Sequence, residues 1–367
     1  MKYRNLIDPI EIDGRTVSNR MVLPPMVIWQ SDESGKVNET HLTHYRESAG
    51  PGILIVEATA VSKEGRLSDR QLGIFDDSQI PGLRGLAQTI HDTGALAGIQ
   101  IHHAGMKATK KTTYGLAPAA PSVDGKVHPA DKSCRELTAD EIKRIQDDFA
   151  KGAVRAADAG FDIIELHGAH GYLINQFLSP LSNTRKDRYG GSRENRQRFL
   201  METFRKCLKV LNGRALLSCR LGLADKNSPE SLEEGINTAE RLQTEGAPLL
   251  HISHGHGIYR GIKNEESPFS DLMHLAGAAG EAVSVPVIGV GNILDPETAD
   301  SAIEKGIADL VAAGRAMLSD PEWAKKTLRG EGNKINRCIE CSPCHWFEDP
   351  SKCPVRIKNG PAAPSKS

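Results

Sequence analysis

The sequence predicts an α/β chain folded as one (β/α)8 TIM barrel with a C-terminal cysteine-rich extension, and three observations carry that prediction. Eight short apolar runs recur along the chain, each followed by a longer stretch with helical spacing. The 367 residues are long for an ordinary domain but normal for one large barrel. No run leads into a convincing G-x-G-x-x-G turn, which counts against a doubly wound open sheet, the alternative that periodicity alone leaves open.

The runs, in order, are MVLPPM (21–26), GILIVEAT (52–59), LAGIQIHH (96–103), FDIIELHG (161–168), ALLSCRLG (215–222), PLLHISHG (248–255), VPVIGVGN (285–292) and ADLVAAGR (308–315). Parallel strands need a crossover to return the chain, and segments such as TADEIKRIQDDFAKGAVRAADAG and PETADSAIEKG supply helices for it. Residues 104–137, rich in Gly, Pro, Lys and Ala, are too long for a plain βα loop and are expected to carry function or act as a lid. The barrel is expected over residues 1–330, and 331–367 form an extension without strand or helix period.

Charge narrows the function class. The 46 basic and 47 acidic side chains nearly cancel, so no broad attraction to nucleic acid or acidic membrane is expected, and the partner is a small molecule. No stretch reads as a secretory signal or a membrane span, which places the protein in the cytoplasm. Four of the seven cysteines crowd into the tail, and in a reducing compartment that density suggests metal ligation before disulfides.

Strand side chains alternate faces, so parity sorts them. Leu54, Val56, Ile99, Ile101, Ile164, Leu166, Leu217 and Cys219 suit packing against outer helices. Glu57, Gln100, Glu165, His167 and Arg220 then point into the barrel near the C-terminal ends of their strands, where Val, Ile and Leu are usual. Buried polar groups need partners. A salt-bridged core layer is one reading for Glu57 and Glu165, whereas Gln100 and Arg220, one layer higher, are read as facing a ligand. The ends of the seventh and eighth strands, GVGN (Gly289 to Asn292) and AAGRAM (Ala312 to Met317), offer close backbone approach and the forked cation of Arg315, a seat for phosphate.

His167 and His170 stand at the end of the fourth strand, with Tyr172 two residues on. H-x2-H lacks a third metal ligand, but two imidazole N–H groups aimed at one oxygen polarise a conjugated double bond and stabilise the enolate that forms. A phenol nearby can supply the proton.

The segment HGAHGYLINQFLSPLSNTRKDRYGGSRENRQRF resembles the signature of the old yellow enzyme family of flavin mononucleotide oxidoreductases. NRMVLPPM, VEATAV, GIQIHHAG, AGFDIIELHGAHGYL and AAGRAML fall in that family's order and spacing across roughly residues 1–330. The resemblance implies an FMN-binding barrel in which Gln100 meets the pyrimidine edge of the flavin and Arg220 lies near N1 and O2. It implies that the Pro25 and Met26 backbone and Ala58 line the ring, and that Gly291, Asn292, Gly314 and Arg315 hold the ribityl phosphate. His167 and His170 would grip the substrate's electron-withdrawing oxygen, and Tyr172 would donate the proton. The implied reaction takes hydride from NAD(P)H through FMN to the activated C=C bond of an α,β-unsaturated carbonyl or nitro compound, in a homo-oligomer. Two residues depart from the pattern. Val27 stands where a threonine or cysteine often bonds the flavin, and Trp29 stands where many relatives carry a tyrosine in the substrate pocket.

CIECSPCHWFEDPSKCPVR reads C-x2-C-x2-C-x8-C through Cys338, Cys341, Cys344 and Cys353, a thiolate set suited to zinc or a [4Fe-4S] cluster, with His345 as an outside ligand. The tail resembles the cluster-binding segment of the 2,4-dienoyl-CoA reductase branch, with shorter third and fourth spacings. Two alternatives therefore stand beside the ene-reductase: a dienoyl-CoA reductase-like or amine dehydrogenase-like enzyme using a tail cluster, and a non-catalytic flavin redox sensor suggested by Val27.

Overall fold

Each apolar run becomes one strand in the computed structural model, which describes residues 2–127, 134–262 and 266–359. The strands are β1 (Met21–Leu23), β2 (Ile53–Ala60), β3 (Leu96–His102), β4 (Ile163–Gly168), β5 (Leu216–Gly222), β6 (Leu250–Ser253), β7 (Val287–Val290) and β8 (Leu310–Ala312). They pair in parallel in chain order, and β8 returns to β1 through Val311 opposite Met21, so the sheet closes into a barrel rather than staying open. Seven helices return the chain: α1 (Glu39–Glu47), α2 (Ile80–His91), α3 (Ala139–Ala159), α4 (Arg193–Leu211), α5 (Glu230–Thr244), α6 (Asp271–Ala282) and α7 (Pro296–Glu304). After β8 two short helices, Gly314–Ser319 and Trp323–Leu328, complete the ring.

Local signals explain the boundaries. Thr138 caps α3, its hydroxyl accepting from the Glu141 N–H while the Glu141 carboxylate accepts from the Thr138 N–H at 2.9 Å, an arrangement worth about 1 kcal/mol. Gly160, at φ 95°, stops the helix where an L side chain would be strained. Between these ends Ile142, Ile145, Phe149, Ala153 and Ala156 face the sheet.

The parity expected from the sequence holds. Leu54, Val56, Ile99, Ile101, Ile164, Leu166, Leu217 and Cys219 share one buried cluster with helix residues such as Phe149 and Phe204. Ile53, Ile55, Ile163, Leu216, Ile288 and Leu310 form a second cluster inside the barrel. An N-terminal hairpin, Ile10–Ile12 with Arg15–Val17, turns at Asp13 and Gly14, both in the left-handed region, and adds Ile12 and Val17 to that inner cluster. The hairpin floors the barrel at the N-terminal ends of the strands.

The long connection after β3 contains a turn at Gly105–Lys107 and a two-residue parallel pairing of Ala119–Ala120 with Arg135–Glu136. Residues 128–133 of it lie outside the described residues. The tail is less bare than its sequence pattern suggests: Pro354–Asn359 is helical, too short for an apolar period to register. It folds back on the barrel, where Trp346 packs with Ile28 and Leu318, and the Arg315–Glu340 and Arg356–Glu47 pairs close at 3.3 and 3.1 Å. Residues 360–367 lie outside the described residues. Among the described residues, no helix is long and apolar enough to cross a membrane.

Candidate active site

The inward residues form two polar layers above the apolar floor. In the lower layer the Glu165 carboxylate accepts from Gln100 Nε2 at 2.7 Å and pairs with His251 Nδ1 at 2.8 Å. A carboxylate only accepts, so this contact fixes the Gln100 amide with its nitrogen toward Glu165. Gln100 Oε1 is left buried without a hydrogen-bond partner. One register step away, buried Arg220 makes no ion pair within 4 Å among the described residues, and its Nε is unpartnered. Burial pushes its guanidinium down to about 10. An unpaired acceptor beside an unpaired forked cation fits a flat ligand with an N–H on one edge and an electron-rich edge next to it. The pyrimidine part of FMN has that pattern.

The upper layer is a ring of histidines. His102 Nδ1 lies 3.0 Å from His167 Nδ1, His167 Nε2 lies 2.9 Å from His170 Nδ1, and His170 Nε2 lies 2.7 Å from Ser253 Oγ. Burial pushes the His102 imidazole down to about 3 and holds His167 and His170 well below the usual range, with the Arg220 charge adding to both. All three are neutral near pH 7, so each has one N–H and one lone pair. The Tyr172 ring stands edge-on to His102, with centroids 4.5 Å apart, and 4.8 Å from His167. Burial raises the Tyr172 phenol, so it keeps its proton. Lys107, from the long connection, donates to the His170 carbonyl at 2.6 Å and sits 5.0 Å from the Tyr172 ring centre. The facing nitrogens of His167 and His170 lie within hydrogen-bond distance of each other, so an oxygen bonded to both would have to part them.

On the opposite side the loop after β1 is held by Glu57, whose Oε2 accepts from the Ile28 N–H at 3.1 Å. Trp29 follows at φ 52°, a backbone conformation that is strained for a tryptophan. Pro25 and Ala58 are buried and Met26 is half-buried. Val27 carries no polar atom, so no side-chain hydrogen bond can come from that position.

The residues singled out at the ends of β7 and β8 lie together. Gly291 adopts φ 140°, and a Cβ there would stand 2.5 Å from Ser270 Oγ. A Cβ on Gly314, at the start of the short helix after β8, would meet Met26 Sδ at 3.2 Å. Arg315 donates to Asn292 Oδ1 at 2.6 Å, which joins the ends of β7 and β8 around one guanidinium. The backbone at Gly291 and Gly314 carries no side chain that would keep a ligand away.

Arg315 also touches the tail. Its partner Glu340 lies between Cys338 and Cys341, and Arg315 borders a small apolar cavity lined by Cys338, Cys341, Cys344 and Cys353. Burial raises the Cys344 thiol, and the neighbouring Cys341 and Cys338 act in the same direction. Among the described residues no three Cys, His, Asp or Glu side chains form a preassembled metal site. His345 is exposed and does not line the cavity.

His102, His251 and Ser253 were not singled out from the sequence. The signal existed: His102 shares parity with Gln100 on β3, and His251 and Ser253 alternate with the outward Leu250 and Ile252 on β6.

Comparison with known proteins adds to this geometry. Residues 5–332 match the model of the NADH:flavin oxidoreductase / NADH oxidase family. The chain is 40% identical over 354 residues to an NADH oxidase of Thermoanaerobacter brockii, covering 93% of this chain but only 53% of that protein. It is 38% identical over 351 residues to an NADPH dehydrogenase of Bacillus licheniformis, covering 93% of this chain and 98% of the relative. Among solved structures, an old yellow enzyme homologue from Zymomonas mobilis superposes with TM-score 0.78 at 26% identity, covering 91% of this chain and 95% of the other. A 2-naphthoyl-CoA reductase superposes with TM-score 0.86 at 27% identity, covering 97% of this chain and 58% of the other. The barrel, its two polar layers and these matches agree: the chain belongs to the NADH:flavin oxidoreductase / NADH oxidase family, the old yellow enzyme family of FMN-dependent NAD(P)H oxidoreductases.

Proposed function

We propose that this chain is an FMN-dependent ene-reductase that passes electrons from NAD(P)H to the activated C=C bond of an α,β-unsaturated carbonyl or nitro compound. The observation that supports it most is the set of neutral donors, His167, His170 and Tyr172, above the unpartnered Gln100 Oε1 and Arg220 Nε. FMN, when bound, supplies the hydride chemistry, and the chain positions and polarises.

In this reading Gln100 Oε1 accepts from the ring N–H of the pyrimidine edge, and Arg220 lies against the neighbouring N1 and O2, where its charge favours electron uptake. Pro25, Met26 and Ala58 line the ring, while Gly291, Asn292, Gly314 and Arg315 receive the phosphate. His167 and His170 donate to the substrate's oxygen and draw charge from the β-carbon. Tyr172 gives its proton to the α-carbon, so the product gains a hydrogen on each carbon of the former double bond. Trp29 borders the substrate pocket. The partner is a small electrophilic alkene rather than nucleic acid or membrane, and a cytoplasmic homo-oligomer is part of the same proposal.

The test uses anaerobic, FMN-loaded protein. NADPH should bleach the flavin colour, and 2-cyclohexenone should restore it. In Tyr172→Phe the restoration should slow about a hundredfold or more relative to wild type, the usual size of a lost general acid. Colour that NADPH does not bleach, or that no electron acceptor restores, overturns the reading in favour of a redox sensor.

A second reading has its own observation, the four cysteines around one apolar cavity against the Ile28 loop and Arg315. Four thiolates suit either a [4Fe-4S] cluster or a tetrahedral zinc, and only the cluster could carry electrons. Such a cluster would support a dienoyl-CoA reductase-like or amine dehydrogenase-like electron route. Iron with labile sulfide in anaerobically purified protein supports it, and zinc or no metal removes it.

A further inference from the structure

The imidazole of His102 has no place in the reaction just described, yet it is buried and joined to His167. Its other nitrogen, Nε2, is buried with no hydrogen-bond partner. A neutral imidazole must put its one proton on one of these two nitrogens. On Nε2 the N–H would be a buried donor with nothing to receive it, the rarer and costlier kind of unsatisfied group. On Nδ1 it has an acceptor 3.0 Å away in His167 Nδ1.

The consequence passes along the ring. Once His167 Nδ1 accepts, the proton of His167 is confined to Nε2, the nitrogen that faces His170 Nδ1 at 2.9 Å. For an oxygen inserted at that gap to receive two hydrogen bonds, His170 must carry its proton on Nδ1, which leaves Nε2 as an acceptor. Ser253 Oγ lies 2.7 Å from that Nε2 and can supply the O–H. A hydroxyl both donates and accepts, so with no oxygen in the gap the same serine can take the Nε2 proton instead, and His170 can then accept from His167. One flank of the pair is fixed and the other can reverse.

We infer that His102 and Ser253 are positioning residues that set the tautomers of the substrate-gripping pair, His102 locking His167 as a donor toward the gap and Ser253 letting His170 switch between acceptor and donor. The inference rests on the proposed function for the nature of the inserted oxygen, but the tautomer of His167 is a property of the FMN-loaded protein alone. Neither residue touches the reacting atoms in this account.

Two measurements test it. Nitrogen NMR of histidine-labelled, FMN-loaded wild-type protein should show His102 protonated on Nδ1 and His167 on Nε2. The reverse assignment for either ring overturns the inference, whatever the enzyme reduces. The second is a variant series read by KM and kcat for 2-cyclohexenone and by Kd for phenol. His102→Leu removes the lock and should weaken phenol binding and raise KM about tenfold, the size of one lost hydrogen bond. His102→Asn places an amide N–H where Nδ1–H stood and should recover most of that loss. Ser253→Ala should behave like His102→Leu, and Ser253→Thr should recover. Equal loss in His102→Leu and His102→Asn at normal FMN content means that the residue only fills space and sinks the inference. If wild type neither reduces the alkene nor binds phenol, the proposed function fails, while the NMR result still decides the tautomers.

Discussion

Replacing Glu57 with glutamine should remove a pH dependence from the stability of the whole barrel. The carboxyl sits at the end of β2, completely buried, with Oε2 accepting from Ile28 N–H and Oε1 without a hydrogen-bond partner. His41 Nε2 is 3.9 Å from the carboxyl and is itself unpartnered. Burial pushes Glu57 up to about 8 and His41 down to about 4, so at neutral pH both are uncharged. The ordinary value is 4.5, so the folded state holds this proton more tightly than the unfolded chain does. Its stabilising share is therefore complete below about pH 4.5, falls by about 1.4 kcal/mol for each pH unit above that, and is gone past the folded value. By pH 7 the loss is of the order of 3 kcal/mol, and by pH 9 it levels at roughly 5 as an upper bound. Glutamine keeps the acceptor for Ile28 and cannot ionise. Urea unfolding of FMN-loaded Glu57→Gln and wild type at about pH 5, 7 and 9 should give similar stabilities at the lowest pH and a widening advantage for the variant above it. Parallel profiles would show that Glu57 is charged in the native state and that the reasoning from burial is wrong.

Gly291→Ala puts a methyl group 2.5 Å from Ser270 Oγ at a φ of 140° that alanine resists, so FMN affinity should fall at least tenfold, read by quenching of flavin fluorescence on titration. In Cys344→Ser, iron and labile sulfide per chain should drop sharply if the tail holds a cluster, while FMN content stays near wild type. Unchanged metal content in that variant removes Cys344 from the ligand set.

Most of the barrel was legible because its signals are local. Eight short apolar runs and their alternation told which side chains turn inward, and the two clusters that separate Ile55 from Leu54 confirm the parity residue by residue. The glycines and Arg315 at the ends of the seventh and eighth strands were legible for a similar reason, since strand end and residue type are both local signals. What escaped were relations across the barrel. His251 belongs to Glu165 although 86 residues separate them, and His102 belongs to His167 over 65, distances at which a single sequence gives no pairing. The tail escaped for the same reason: its cysteines were visible as a motif, but only Trp346 packing against Ile28 brings them beside the loop that lines the candidate flavin site. Spacing placed His167 and His170 together but could not show that their facing nitrogens lie within hydrogen-bond distance of each other.

The hairpin that carries Ile12 and Val17 into the inner cluster has a kinetic meaning beyond filling space. It fills the N-terminal end of the tube with apolar side chains, so in the proposed cycle a spent nicotinamide and the next oxidant would both pass the opposite mouth, where the strands end. Reactants that share a mouth would take turns, and the redox state of the flavin would then carry the memory of which came last.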